Sequence, residues 1–118
     1  MVNLQGSEGW QELARSFGEA LARREYTEAY EMTSGQYRER VSLEQLQAGF
    51  EEIVPLDWGE IGPIVVQPLL DDWPGKQPSD VAWAYIGIGG DVYSEAVTVI
   101  VEDDAGELRV REVEFGRP

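Results

Sequence analysis

The signals for helices and strands are separated along this chain of 118 residues. Residues 1–54 carry apolar side chains at spacings of three and four, which is typical of helices packed on a core. Residues 58–116 carry apolar alternation, β-branched runs and turn dipeptides, which are typical of strands. Because the two kinds of signal do not alternate, the sequence predicts an α+β fold. At this length we expect one domain, residues 1–118, with an ordered core over about 7–116.

Two helices are predicted before the first strong break. The first covers about residues 7–23, and one face of it is apolar. That face consists of Trp10, Leu13, Ala14, Phe17 and Leu21. The second covers about residues 27–33. Gly35 is placed to end it, because glycine readily takes the left-handed conformation that closes many helices.

A third helix is predicted to begin at Ser42. Ser42 and Gln45 form the capping-box pattern, in which each side chain bonds the other residue's backbone N–H. The helix should end at Val54, because the next residue is Pro55. Its buried stripe consists of Leu43, Leu46, Phe50 and Ile53.

Four strands are predicted in the second half, over residues 60–70, 81–88, 92–102 and 107–115. Pro63 and Pro68 favour an edge position for the first strand. Turn signals at 89–91 and 103–106 join the later strands as hairpins. In the last strand Leu108 and Val110 share one phase of the alternation, whereas Val113 and Phe115 share the other. An extra residue near 111–112 would restore one face, so we expect a β-bulge there and a curved sheet.

The strand over residues 81–88 is apolar on both faces, so we expect both faces to be covered. The helices of a small domain cover only one face of a sheet. This predicts a homodimer that forms through the sheet.

The composition excludes several kinds of site. The chain has no cysteine and no histidine, which rules out disulfides, thiol catalysis, Ser-His-Asp triads and histidine-bound zinc. The acidic clusters at 71–72 and 102–104 lack the spacing of a calcium loop, and turn chemistry explains them better. We therefore predict no metal and no cofactor.

The net charge of −14 disfavours binding to nucleic acids and to anionic membranes. It is explained by solubility or, alternatively, by a basic partner protein, as in acidic inhibitor or immunity proteins. The first ten residues lack the pattern of a signal peptide, and no apolar run is long enough to span a membrane. These features predict a cytoplasmic protein.

The order of the segments resembles the nuclear transport factor 2-like superfamily. A helix containing Phe17 is followed by REYTEAYEMTS, by SLEQLQAGF and, at the end, by GELRVREVEF. This is similar to the family's helix, its short aromatic-x-x-Ala-Tyr helix and its Ser-x-Glu-x-Leu helix. The resemblance covers about residues 7–116. It implies a cone-shaped α+β roll, with three N-terminal helices packed on a strongly curved antiparallel sheet that leaves a pocket.

The resemblance leaves the function open, because the superfamily contains ketosteroid isomerases, polyketide cyclases and non-catalytic domains. Our first interpretation is a non-enzymatic module with a small-ligand pocket or a protein-binding surface. In an isomerase-like enzyme, Asp57 would be the pocket carboxylate, and Tyr30 or Tyr26 the tyrosine. The chain departs from that pattern, because it lacks the acidic loop that carries the general base of the isomerases.

Six aromatic side chains are candidates to line a pocket for a flat apolar ligand. They are Tyr26, Tyr30, Phe50, Trp58, Trp83 and Tyr85. Rings at these spacings also pack as ordinary core, and both interpretations stay open. For Tyr37, in the break beside Gly35, the sequence favours neither.

Overall fold

The computed structural model of this protein describes residues 9–59, 61–90 and 94–116. Within these ranges, four α-helices precede four strands, which confirms the α+β class. The helices are α1 (Trp10–Ala22), α2 (Tyr26–Glu31), α3 (Gly35–Arg40) and α4 (Leu43–Ile53), and a short 3-10 helix follows at Leu56–Trp58. The strands are β1 (Ile64–Pro68), β2 (Asp80–Gly89), β3 (Ser94–Asp104) and β4 (Glu107–Phe115). They pair antiparallel in chain order, so β1 and β4 are the edges.

Helix α1 buries the apolar stripe that the sequence predicts. Its buried members are Trp10, Ala14, Phe17 and Leu21, and Leu13 is partly buried beside them. Gly18 lies close to the sheet, where an added Cβ would stand 2.8 Å from Cγ2 of Ile86 and 3.0 Å from Cγ2 of Ile64. The missing side chain therefore sets how closely α1 approaches β1 and β2.

The break after α2 contains a helix that the sequence analysis missed. We expected Gly35 to end the second helix, but Gly35 is the first residue of α3. Ser34 explains the difference, because its side chain accepts a hydrogen bond of 3.1 Å from the backbone N–H of Tyr37 and caps a new helix. The described residues thus form four α-helices before the sheet, one more than predicted. Tyr37 is buried at 2 % exposure.

Helix α4 begins with the predicted capping box. The backbone N–H of Gln45 donates to the Ser42 hydroxyl at 3.1 Å, and the Ser42 N–H donates to Oε1 of Gln45 at 2.8 Å. Leu46 and Phe50 are fully buried on the inner side of the helix. The helix ends at Ile53, close to the predicted end before Pro55.

The strands agree with the predicted ones within a few residues. β1 is shorter than the predicted 60–70 and lies at an edge, as its prolines indicate. Parts of the predicted elements lie outside the described residues. They are residues 7–8 of the first helix, residue 60 of the first strand, residue 91 of the turn at 89–91, and residues 92–93 of the third strand.

The predicted β-bulge lies in β4. Ile100 of β3 pairs with Glu112 and Val101 pairs with Val110, so Arg111 is the extra residue. A second irregularity occurs in β2, where Asp80 pairs with Glu102 and Ala82 with Val101. Here the extra residue is Val81.

The helices cover one face of the sheet, which we term the inner face. Its buried residues in β2 are Ala82, Ala84, Ile86 and Ile88, and they join the helix residues in one core. The opposite, outer face carries Trp83 and Tyr85, which are only half-buried. The sheet is not strongly curled, so the structure does not show the cone-shaped roll.

Candidate binding groove on the outer face of the sheet

A groove of about 350 Å³ lies on the outer face. Strands β2, β3 and β4 supply its floor and rim, and the loop of residues 69–79 supplies one wall. Its lining residues are Trp73, Pro74, Gly75, Trp83, Thr98, Ile100, Arg111, Glu112 and Glu114. The volume lies within the usual range of ligand sites, about 300–1,000 Å³.

Cross-strand pairing gathers the side chains of the floor. Trp83 of β2 pairs with Ile100 of β3, and Ile100 pairs with Glu112 of β4. The next row on the same face consists of Tyr85, Thr98 and Glu114. Since side chains two residues apart point to the same side of a sheet, both rows face outward. The groove therefore has an aromatic and aliphatic floor that ends in carboxylates.

A buried ion pair lies beside this floor. Arg111 donates from Nε to Oδ1 of Asp80 at 2.7 Å and from Nη2 to Oδ2 at 2.6 Å. The two side chains are 8 % and 0 % exposed. Hydrogen bonding to Asp80 raises the pKa of Arg111, although burial acts in the opposite direction. Both partners adjoin the bulges, since Arg111 is the extra residue of β4 and Asp80 precedes the extra residue of β2.

The loop of residues 69–79 places Trp73 over the outer face. The Trp73 and Trp83 ring centroids are 6.0 Å apart. Lys76 stabilises the loop through two contacts with Trp73. Its backbone N–H donates to the Trp73 carbonyl at 3.1 Å, and its Nζ lies 4.7 Å from the Trp73 ring centroid. Trp73 and Lys76 also line a second cavity of about 200 Å³.

The Trp73 indole has an unsatisfied donor. Its Nε1–H is buried and has no hydrogen-bond acceptor among the described residues. Such a group costs about 1–3 kcal/mol unless an acceptor reaches it. Because the Nε1 atom is buried, a molecule in the groove does not reach it while the loop keeps this position.

The rim of the groove is negatively charged. Glu112 shares an exposed ion pair of 3.4 Å with Arg40, and the exposed Glu114 accepts a hydrogen bond of 3.4 Å from Thr98 Oγ1. Arg111 also interacts electrostatically with Glu112, but its two described hydrogen bonds go to Asp80. The groove can thus hold an apolar group against indole rings and a positive charge at its rim.

Two of the predicted ligand residues, Tyr26 and Phe50, lie together in the core of the helical layer. Their ring centroids are 6.3 Å apart, and Tyr26 donates its hydroxyl to Glu51 at 3.0 Å. Burial raises the pKa of Tyr26. Tyr30 is partly buried and donates its hydroxyl to the carbonyl oxygen of Val41 at 2.7 Å.

The other predicted residues lie elsewhere. Trp83 and Tyr85 are on the outer face, and Trp83 lines the groove. Asp57 and Trp58 are exposed on the 3-10 helix, with Trp58 at 41 %. The structure therefore distributes the six predicted ligand residues between the helical core, the 3-10 helix and the outer face.

Of the nine residues that line the groove, only Trp83 was predicted from the sequence to contact a ligand. Residues 111–112 entered the prediction only as the place of the bulge. The alternation in β4 holds a usable signal, because Glu112 and Glu114 take the face opposite Val113 and Phe115. Pairing β3 with β4 through the bulge would have placed both carboxylates beside Ile100 and Thr98.

Neither a metal centre nor a membrane span is found in the described ranges. No three acidic side chains there are grouped so as to hold a metal ion. None of the helices in those ranges is long and apolar enough to cross a membrane.

No protein-family model, no curated protein and no solved structure matches this chain. The resemblance to the nuclear transport factor 2-like superfamily therefore stays a prediction, based on the order of the helices and strands.

Proposed function

We propose that this protein is a non-enzymatic interaction module, and that its outer-face groove binds a segment of a partner protein. The observation that carries the proposal is the groove itself, about 350 Å³ in volume and lined by two indole rings and two carboxylates. It lies on the sheet face that the helices leave uncovered. Aromatic side chains with adjacent polar groups are typical of protein-binding surfaces.

The filling of the inner face supports a binding role for the outer face. Phe17, Leu21, Leu46, Phe50 and Ile86 are all fully buried between the helices and the sheet. These residues occupy the position in which the resemblance implies a ligand pocket. A ligand there would have to displace close-packed side chains, whereas the groove is open.

The enzyme interpretation has weaker support. A pocket carboxylate that acts as a general base needs an apolar environment to raise its pKa, and Asp57 is exposed. The Tyr30 hydroxyl is engaged with the Val41 carbonyl. Neither residue lines the groove.

A homodimer through the sheet would compete with the partner, because it would bury the same face. The half-buried Trp83 and Tyr85, with Val65 at 50 % exposure, favour such a contact. Sedimentation velocity at tens of micromolar separates the two cases. A monomer leaves the groove free for another protein, whereas a stable dimer that masks Trp83 from fluorescence quenchers would replace our proposal.

Selection from a random peptide library against the pure protein tests the proposal. We expect the selected peptides to shift the amide NMR signals of Trp83, Thr98 and Ile100, and Trp83→Ala to weaken their binding. Trp58→Ala, which changes an exposed indole outside the groove, is the matched control. Selected peptides that shift only signals of α2 or of the 3-10 helix would contradict the proposal.

A further inference from the structure

We propose that the groove recognises an arginine side chain of a basic partner protein, which packs against the surface formed by the indoles of Trp73 and Trp83 and is bound by the carboxylates of Glu112 and Glu114. This inference rests on the proposed function and adds the chemical class of the partner. Indole faces attract cations, and carboxylates accept hydrogen bonds from a guanidinium group. The groove presents both kinds of group together.

The two arginines of the protein near the groove do not take this position. Arg111 lines the groove, but two hydrogen bonds of 2.7 and 2.6 Å bind its guanidinium to Asp80. Arg40 contacts Glu112 through an exposed pair of 3.4 Å. Among the described contacts, Glu114 accepts one hydrogen bond, from Thr98, and has no ion pair. A carboxylate with so little neutralisation favours an incoming cation.

Trp73 already has a cation of the protein beside its ring. The ammonium group of Lys76 lies 4.7 Å from the ring centroid of Trp73, in the cation–π range. Lys76 lines the smaller neighbouring cavity and is not among the residues that line the groove.

The charge of the whole chain matches such a partner. A net charge of −14 speeds encounter with basic proteins and slows encounter with acidic ones. Arginine fits the groove better than lysine, because its planar and weakly hydrated guanidinium stacks on aromatic faces. A lysine ammonium retains its hydration more strongly and gains less from the indoles.

The test uses three synthetic peptides that differ only at the central residue of a capped Gly-Gly-X-Gly-Gly. The central residue is arginine, lysine or citrulline, the last being a neutral shape analogue of arginine. Binding is followed by NMR through the indole N–H signals of Trp73 and Trp83. We expect the arginine peptide to bind at least about threefold more tightly than the other two.

Charge variants locate the contact. Glu114→Gln should weaken binding of the arginine peptide about three- to tenfold, because it removes a charge at the rim. Glu52→Gln makes the same change at an exposed position of α4 and should change binding less than about twofold, which controls for the net charge.

The outcomes separate the inference from the proposed function. Equal binding of citrulline or lysine in the groove would overturn the arginine assignment and leave the interaction module intact. If none of the three peptides binds, the inference about arginine is overturned. The proposed interaction module is tested separately, by the selection from the random peptide library. Free argininamide that binds as tightly as the peptide would assign the groove to a small cation and contradict a protein partner.

Discussion

The ion pair between Arg111 and Asp80 allows a quantitative test of the groove. We consider Arg111→Met, which keeps a long apolar stem and removes the guanidinium. The Asp80 side chain is 0 % exposed, and the Gln77 N–H, at 2.7 Å from Oδ2, would be its remaining partner among the described hydrogen bonds. Removing one member of a buried pair costs about 3–5 kcal/mol, because the other charge is left uncompensated. For a domain of this size the midpoint of thermal unfolding should fall by about 12–20 °C.

The assay is urea unfolding at pH 7, followed by tryptophan fluorescence. A double-mutant cycle with Asp80→Asn measures the coupling between the two side chains. The free energy lost in the double variant should be about 2–3 kcal/mol smaller than the sum of the losses in the two single variants. Arg23→Met is the matched control. Its ion pair with Glu25 is exposed on both sides, so the urea midpoint should hardly move. A loss below about 1 kcal/mol for Arg111→Met, or additive losses in the cycle, would refute the buried pair.

Three further predictions concern the fold. Gly18→Ala should destabilise the protein by about 1–2 kcal/mol, because crowding against the fully buried Ile86 outweighs the gain in helix propensity. Gly35→Ala has open space at the start of α3 and should stabilise the protein by up to about 1 kcal/mol. The urea midpoint of unfolding measures both effects. Burial raises the pKa of Tyr37 to about 12, so its contribution to stability is complete below about pH 10 and is lost between about pH 10 and 12. Tyr37→Phe should reduce that alkaline loss by about 2–3 kcal/mol, as measured by urea unfolding at pH 9 and pH 12. Ser42→Ala should cost about 1 kcal/mol, seen as a lower urea midpoint, since it removes the acceptor of the capping box.

Features with strong local patterns were predictable from the sequence. The stripe of α1 repeats over several turns, so its buried face follows from helix geometry alone. The capping box of α4 is encoded by Ser42 and Gln45, which are neighbours in the chain. The bulge at Arg111 is also a local signal, because the alternation of β4 changes phase there.

Two kinds of feature were not predictable from the sequence: those where neighbouring residues favour different local structures, and those that need contacts between residues far apart in the chain. At residues 34–35, serine favours a helix start and glycine a helix end, and the structure follows the serine. The partners Asp80 and Arg111 are 31 residues apart and lie on strands that are not neighbours, so their contact requires the register of three strands. Trp73 lies in a loop, where no periodic pattern indicates the direction of a side chain.

The buried ion pair connects the stability of the sheet with the shape of the groove. Such pairs contribute little net stability compared with apolar residues of similar size, so stability alone does not explain its position. The Asp80 carboxylate, however, accepts hydrogen bonds both from Arg111 of β4 and from the Gln77 N–H in the loop that carries Trp73. One carboxylate thus fixes the wall of the groove to its floor. We therefore expect Arg111→Met to release the loop as well as to lower the free energy of unfolding, with faster amide exchange across residues 73–77 and weaker binding in the groove.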